Sequence, residues 1–530
     1  MFEEKTYKRC ACKGPLTDKK GNPVFTEDGT PKTGYLEKRC PNLKRRDHGS
    51  WYYSIELPPG PGGKRETAKK GGFRTQSDAA TACKEIWDLA QGGIQVKSTE
   101  TVAEFLHRWF AKRVDLKRST RKGYDDHIER IFIPALGHLK MRDLRTRHIQ
   151  DMFKAIWADN KTHQQNREAA EKALTAERTA HHAWRTCTTR PRPPQLRQHW
   201  NDTKAQLRTA RSKPRHITGP GTQLKMNNTL SAALDDAVTE KLISNNWAKT
   251  VVLPKYIRPK PLVWTDERVA RWRTNGEKPG KVMVWTPEQT GTFLDAVAEH
   301  RLYPMFHLMT FRGPRRGEAA GLPWSETDLT IGTIHISEQL VASSYDVWED
   351  TPKSENGART IALDSETHQL LKLWRQRQQA ERHEWNRAHE EWQRHKPHTS
   401  DPDDKRPHQP WKDTGLVFTW ENGDAYHPEY LSQMFERLIK KLALPPVRLH
   451  DLRHCAATLS LAAGIHMKKI QALLGHASFS LTADTYTSVL PQFEKAEAEA
   501  PVALVPRAAK QQKPSTAPAV PSDEPTETGA

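Results

Sequence analysis

His450 and Arg453 stand three residues apart in RLHDLRH, so on a helix the two side chains share a face and can hold one anion between them. His476 follows directly on a Leu-Leu-Gly helix end, and Tyr486 comes ten residues later, past a Ser/Thr segment. A phenol brought close to fixed cationic donors is a candidate nucleophile toward a phosphate ester. Its ordinary pKa near 10 leaves only about one in a thousand ionised at neutral pH, a penalty of roughly 4 kcal/mol that its neighbours must offset. One at a time these residues have plainer readings: the HxxR is a surface pair and Tyr486 a half-buried core tyrosine. Weight comes from the ordered set and from its upstream partners.

Those partners lie in MTFRGPRRGEAAGLPWSETDL, residues 309–329, and TPKSENGARTIALD, residues 351–364. Arg315-Arg316-Gly317-Glu318 comes first, then Lys353 after a proline and ahead of Arg359-Thr360-Ile361. In this order, with His450, Arg453, His476 and Tyr486, the boxes resemble those of the tyrosine recombinases, the phage-type integrases. Arg312 and Arg316 flank the first box, but only Arg315 has the Arg-x-Gly-Glu spacing. The resemblance covers residues 98–156, 222–256 and 283–495 and leaves out the insertion between the first two.

The resemblance implies a catalytic set of Arg315, Lys353, His450, Arg453, His476 and Tyr486, with Tyr486 as nucleophile. Two arginine forks suit the non-bridging phosphate oxygens, and His476 suits a third bond. His450 would accept the phenol proton, and Lys353, on a β-hairpin, would protonate the leaving 5′ oxygen. The product would be a 3′-phosphotyrosine. Its bond stores the phosphodiester energy, so rejoining would need no ATP, metal or other cofactor. Implied partners are double-stranded DNA attachment sites and three further copies of the chain, a homotetramer on two duplexes; there is room for an excisionase and a host DNA-bending protein. A DNA-relaxing topoisomerase of the tyrosine type and a DNA-binding regulator with a dead site stay open as alternatives.

Composition agrees with a polyanionic partner. The chain has 530 residues and a formal charge of +19 spread along its length, with a pI near 9.5. This length predicts three or four domains. No run of eighteen apolar residues is present and the N-terminus lacks an apolar signal core, which points to a cytoplasmic, nucleoid-associated protein and no membrane. Six cysteines in such a chain are not a disulfide scaffold.

The expected architecture is multidomain, mainly α with small β-sheets. Residues 1–50 read as a basic, turn-rich segment in which Cys10, Cys12, Cys40 and His48 offer the ligands of a zinc knuckle. Cys-x-Cys is tighter than the usual gap, so plain thiols in a basic arm are the simpler reading. Residues 51–95 read as strands followed by an amphipathic helix, a three-stranded arm-type DNA-binding module. Residues 98–256 fit an all-helical core-binding domain opening with a Thr101/Glu104 capping box; Lys117, Arg118, Arg121 and Lys122 cluster where phosphates would lie. Residues 158–221 read as an inserted helical hairpin, 257–282 as a linker and 283–497 as an α+β catalytic domain. In that domain TIGTIHISEQLV, the stretch around SYDVWED, and RTIAL read as three strands, and Gln376–Pro410 as a helical extension and loop. The Ala/Pro/Thr/Ser tail 498–530 has little to bury and is expected to be disordered.

Overall fold

A computed structural model describes residues 2–18, 22–58, 66–94, 98–343, 345–351, 357–394 and 407–475. The chain divides into two compact units, Met1–Ile257 and Arg258–Ala530, mainly helical with small sheets. The expected tail and the stretches carrying Lys353, His476 and Tyr486 lie outside the described residues.

The first unit opens with β1 (Thr6–Pro15), β2 (Thr33–Glu37), β3 (Ser50–Leu57) and β4 (Glu66–Phe73), an antiparallel sheet in the order β2-β1-β3-β4. This corrects two expectations: the sheet has four strands, and no domain boundary falls at residue 50, because β1 pairs along β3 from Thr6↔Tyr53 to Arg9↔Ser50. TYKRCACKGP has no apolar alternation to announce a strand; pairing supplies the order that local pattern does not. Helix α1 (Gln76–Gln91), capped by the Thr75 hydroxyl, buries Cys83 against Tyr53, Ile55 and Leu57.

The helical part follows as α2 (Val102–Lys112), α3 (Arg118–His127), α4 (Ile133–Leu136), α5 (Thr146–Thr186), α6 (Pro194–Ser212) and α7 (Pro220–Thr239). Thr101 and Glu104 make the expected reciprocal capping box on α2. A π turn, Ile128–Phe132, separates α3 from α4 and fits Pro134, which has no N–H to give, into a nearly continuous helical path. Val102, Phe105, Leu106, Phe132, Phe153, Leu230 and Leu234 form the core. The expected hairpin does not start with a helix of its own: α5 runs unbroken for 41 residues, from the domain core into it. Its far half packs on α6 through stacked His181, Trp184 and Trp200, 4.6 to 6.3 Å between ring centres.

The second unit begins inside the expected linker. β5 (Leu262–Val263) pairs in parallel with β6 (Met283–Val284), with α8 (Asp266–Asn275) between them. Val263, Trp264, Met283, Val284 and Trp285 are buried in the same core as Phe293, Phe306 and Phe435. The Trp264 and Trp285 indoles donate to Pro446 O at 3.3 Å and Pro445 O at 2.8 Å, so 262–285 is stitched to the segment that leads to His450. Three prolines and several charges made 257–282 look like a connection, but its apolar residues are just enough to seat it.

Then come α9 (Pro287–Ala296), α10 (Tyr303–Arg312), α11 (Arg316–Ala320), β7 (Thr327–Asp328), β8 (Thr333–Ile336), β9 (Gln339–Ser343), β10 (Asp346–Asp350) and β11 (Arg359–Ala362). The strands form two sheets, β11-β8-β7 and β10-β9, so TIGTIHISEQLV supplies two strands instead of one. Helices α12 (Ser365–Arg394), α13 (Pro428–Lys441), α14 (Asp451–Ala462) and α15 (Met467–Leu474) complete the unit. Among the described residues no helix is long and apolar enough to cross a membrane.

If 258–285 is core, Trp264→Ala should cost about 3–5 kcal/mol of stability, the range for a large buried aromatic. Chemical denaturation followed by circular dichroism measures it; a change within about 0.5 kcal/mol, as for a surface residue, would return the stretch to linker status.

Candidate active site

Helix α10 ends at Gly313, whose left-handed backbone (φ +60) turns the chain into Pro314 and Arg315. Arg315 is the N-cap of α11, and its backbone N–H donates to Glu318 Oε2 at 2.8 Å. Gly317 explains the glycine of the box: a Cβ there would stand 2.5 Å from Leu340 O, so only glycine lets α11 lie against β9.

Glu318 is 1% exposed, yet both of its oxygens are doubly satisfied. Oε1 accepts from Arg315 Nη1 at 2.5 Å and Arg359 Nη1 at 3.3 Å; Oε2 accepts from the Arg315 backbone and from Arg359 Nη2 at 2.8 Å. Burial pushes this carboxyl up, but the Arg359 hydrogen bonds and the charges of Arg359 and Arg315 outweigh it and hold it at about 2. Glu318 is therefore ionised at any working pH and fixes the planes of both guanidiniums.

The end of α15 closes the site. Three successive carbonyls there are each taken by a different arginine: Leu473 O by Arg359 Nε at 2.7 Å, Leu474 O by Arg453 Nη2, and Gly475 O by Arg315 Nη2 at 3.3 Å. Helix ends leave carbonyls without intrahelical partners and carry partial negative charge, so guanidiniums collect there. Arg453, 3% exposed, also donates to Gly313 O at 2.8 Å and so ties the turn before Arg315 to the turn before His476.

His450 is the N-cap of α14. Protein atoms crowding its ring, then the Arg453, Arg448 and Arg315 guanidiniums, push its imidazole down to about 4 against the pull of Asp451, while its outer edge stays open to solvent. At neutral pH it is uncharged and able to accept a proton. It borders a cleft of about 500 Å³ shared with Lys278, Arg316, Glu429 and Arg448.

Three of the six expected catalytic residues, Arg315, His450 and Arg453, are thus brought together. The other three, Lys353, His476 and Tyr486, lie outside the described residues. The competing arginines are accounted for: Arg312 pairs with Asp364 at 2.9 Å and Arg316 with Glu429 at 2.8 Å. In the other unit, Arg118, Arg121 and Lys122 sit on the first turns of α3 with Lys117 as its N-cap; Arg121 is held by Arg113 O at 2.8 Å. Cys10, Cys12, Cys40 and His48 also converge there.

Comparison with known proteins assigns the chain. The phage integrase family matches residues 284–492, the phage integrase N-terminal SAM-like domain 101–156, and the Arm DNA-binding domain 43–87. Residues 284–492 belong to the phage integrase family. The chain is 25% identical over 278 residues to a tyrosine recombinase XerC-like protein of Caldanaerobacter subterraneus, a match spanning 50% of this chain and 62% of that protein. It is 24% identical over 291 residues to the ICEBs1 integrase of Bacillus subtilis, spanning 54% of this chain and 67% of that protein. Among solved structures, the Tn1549 transposon integrase in complex with a circular intermediate DNA aligns with a TM-score of 0.44 at 18% identity, over 76% of this chain and 99% of that chain.

Three residues of the site were not legible as such in the sequence. Glu318 lies inside the first box and Arg359 inside the Arg-Thr-Ile signal, but nothing local in the sequence gives either a task. Lys278 carried no signal at all, since it lies in the stretch read as linker; burial lowers its pKa beside Arg448, with Asp451 and Glu436 opposing.

Two outcomes follow from these ionisations. Arg359→Ala leaves a buried carboxylate with half its partners and should cost about 3–5 kcal/mol in chemical denaturation; a loss under about 1 would mean that the pair is not structural. His450 and His454 are both held near 4, below the ordinary 6.5, so their contribution is complete above pH 6.5 and is lost as pH falls toward 4. Glu318, depressed from 4.5 to about 2, loses its contribution only lower. Stability should therefore decline between pH 6.5 and 5, and His450→Gln/His454→Gln should flatten that decline; an unaltered slope would contradict the assignment.

Proposed function

We propose that this chain is a site-specific DNA recombinase that integrates or excises a mobile element, cutting and resealing each strand through a 3′-phosphotyrosine on Tyr486. The observation that carries the reading is the convergence of Arg315 and Arg453 on the carbonyls directly before His476, beside a neutral His450. The Tyr486 oxygen attacks phosphorus while His450 takes the phenol proton. The bond to the 5′ oxygen breaks, and Lys353 supplies that oxygen with a proton. Reversal by the 5′ hydroxyl of a partner strand restores the phosphodiester and frees the phenol.

In the free chain the two guanidiniums hold the carbonyls of Leu474 and Gly475. A scissile phosphate offers them oxygens of full negative charge, and charge-assisted bonds are roughly twice as strong as neutral ones. Phosphate binding thus competes with the carbonyls at the end of α15. Lys117, Arg118, Arg121 and Lys122 meet backbone phosphates and add salt dependence more than sequence choice. The working assembly is a homotetramer on two attachment-site duplexes in the cytoplasm, with an excisionase and a host DNA-bending protein setting direction.

A nicked suicide duplex tests this. Wild-type protein should form a covalent adduct, and Tyr486→Phe should bind the duplex yet form none; cleavage by that variant would mean that another group attacks. Arg315→Ala should slow adduct formation at least ~100-fold, as for loss of one donor to a developing oxyanion. Relaxation of a plasmid without strand exchange would favour the topoisomerase reading.

A further inference from the structure

We infer that the N-terminal sheet carries a structural zinc ion bound by Cys10, Cys12, Cys40 and His48. The ligand atoms of all four lie within 4.8 Å of one another. His48 Nε2 is 3.4 Å from Cys12 Sγ and 3.4 Å from Cys40 Sγ. A tetrahedron with Zn–S of about 2.3 Å and Zn–N of about 2.1 Å has S–N edges of about 3.6 Å and S–S edges of about 3.8 Å, so the cluster is the size of that polyhedron.

The spacing that argued against a knuckle has a different explanation here. Cys10 and Cys12 lie on a strand, where residues two apart share a face, and not in a turn. The register of β1 on β2 slips by one residue between Cys10↔Glu37 and Lys13↔Tyr35, and such a bulge re-aims the side chains beside it. Cys40 caps the 3-10 turn Pro41–Lys44. His48 is carried by a turn pressed onto β1: Gly49 has φ +77, and a Cβ there would stand 2.6 Å from Arg9 O. Lys8 Nζ fastens the same loop through Leu43 O at 3.3 Å and Arg45 O at 2.6 Å. The four ligands thus come from three backbone segments already locked together.

The second observation is what this region lacks. Among the described residues from 2 to 49, Cys40 is the only buried one, and the module's apolar cluster of Tyr53, Ile55, Leu57 and Cys83 is built by β3 and α1. A hairpin and loop with no core of their own need a staple. Three thiolates and an imidazole fill a tetrahedron and leave no position for substrate, which makes the ion structural. The net negative charge of such a centre sits among Lys8, Arg9, Lys44 and Arg45. Cys10, Cys12 and Cys40 precede the 43–87 match to the Arm DNA-binding domain and His48 lies inside it, so the centre would tie the segment before that match to the module.

Full-length protein purified without chelator is the material for the test. Elemental analysis should give close to one zinc per chain, released when a mercurial titrates the thiols. Cobalt in its place should give an intense four-coordinate visible spectrum with a sulfur-to-metal charge-transfer band, a readout that depends on ligand type and not on folding of any variant. Cys40→Ser and His48→Ala should lose the metal, and Cys187→Ser should keep it. Chelation should speed tryptic cleavage within residues 6–49 by ~10-fold or more, as expected where metal binding supplies folding free energy. A metal-free chain with all four groups reactive, a disulfide among the cysteines, or a weak six-coordinate cobalt spectrum would each overturn the proposal.

Discussion

One carboxylate, buried and held from both sides, is the constraint on which the catalytic unit depends. Moving Glu318 out of water costs several kcal/mol in its charged form, and the cost is tolerable only because four N–H groups from Arg315 and Arg359 replace the lost hydration. Each of its arginines also donates to the end of α15, Arg359 to Leu473 O and Arg315 to Gly475 O. A single ion-paired centre therefore joins the first box, the strand after the lysine and the helix before His476, three pieces drawn from 160 positions of sequence between Arg315 and Gly475. The arrangement explains why a glutamate follows arginine at that spacing: the i,i+3 step on a helix start brings its carboxylate back under the arginine it positions.

The same economy is visible in His450. Crowding and three nearby guanidiniums keep the imidazole neutral, so the cationic character of the site rests on arginines, which do not titrate, while the uncharged histidine is able to accept a proton. Arg448 is itself absorbed by the fully buried Asp451, through a bond of 2.6 Å, and stiffens the first turn of α14.

The clustering of Arg315, His450 and Arg453 was more legible in the sequence than the scaffold. Arg315, His450 and Arg453 could be named because order and spacing single them out, and the capping box at Thr101 announced a helix start by local hydrogen bonding alone. Features that depend on distant pairing were missed. β1 is a strand only because β3 lies beside it, and Trp264 belongs to the core only because Pro446 is there to accept its N–H. The task of Arg359 was hidden for a similar reason: its partners, Glu318 and Leu473, are 41 and 114 residues away. The continuity of α5 across residue 158 was hidden for another reason. Composition changes there, from amphipathic to polar all round, but a helix asks only for continuous backbone bonding, and nothing in Ile156–Lys161 interrupts it.

That continuity has a geometric consequence. A straight helix of 41 residues is about 60 Å long at 1.5 Å per residue, so the stacked Trp184–Trp200 tip is carried well away from the domain core on a rigid lever. Each residue added to or removed from the lever swings the tip by about 100° around the axis. Changes of length would therefore preserve its facing only in steps near whole turns, such as seven residues, and any partner that reads this hairpin reads its azimuth as well as its reach.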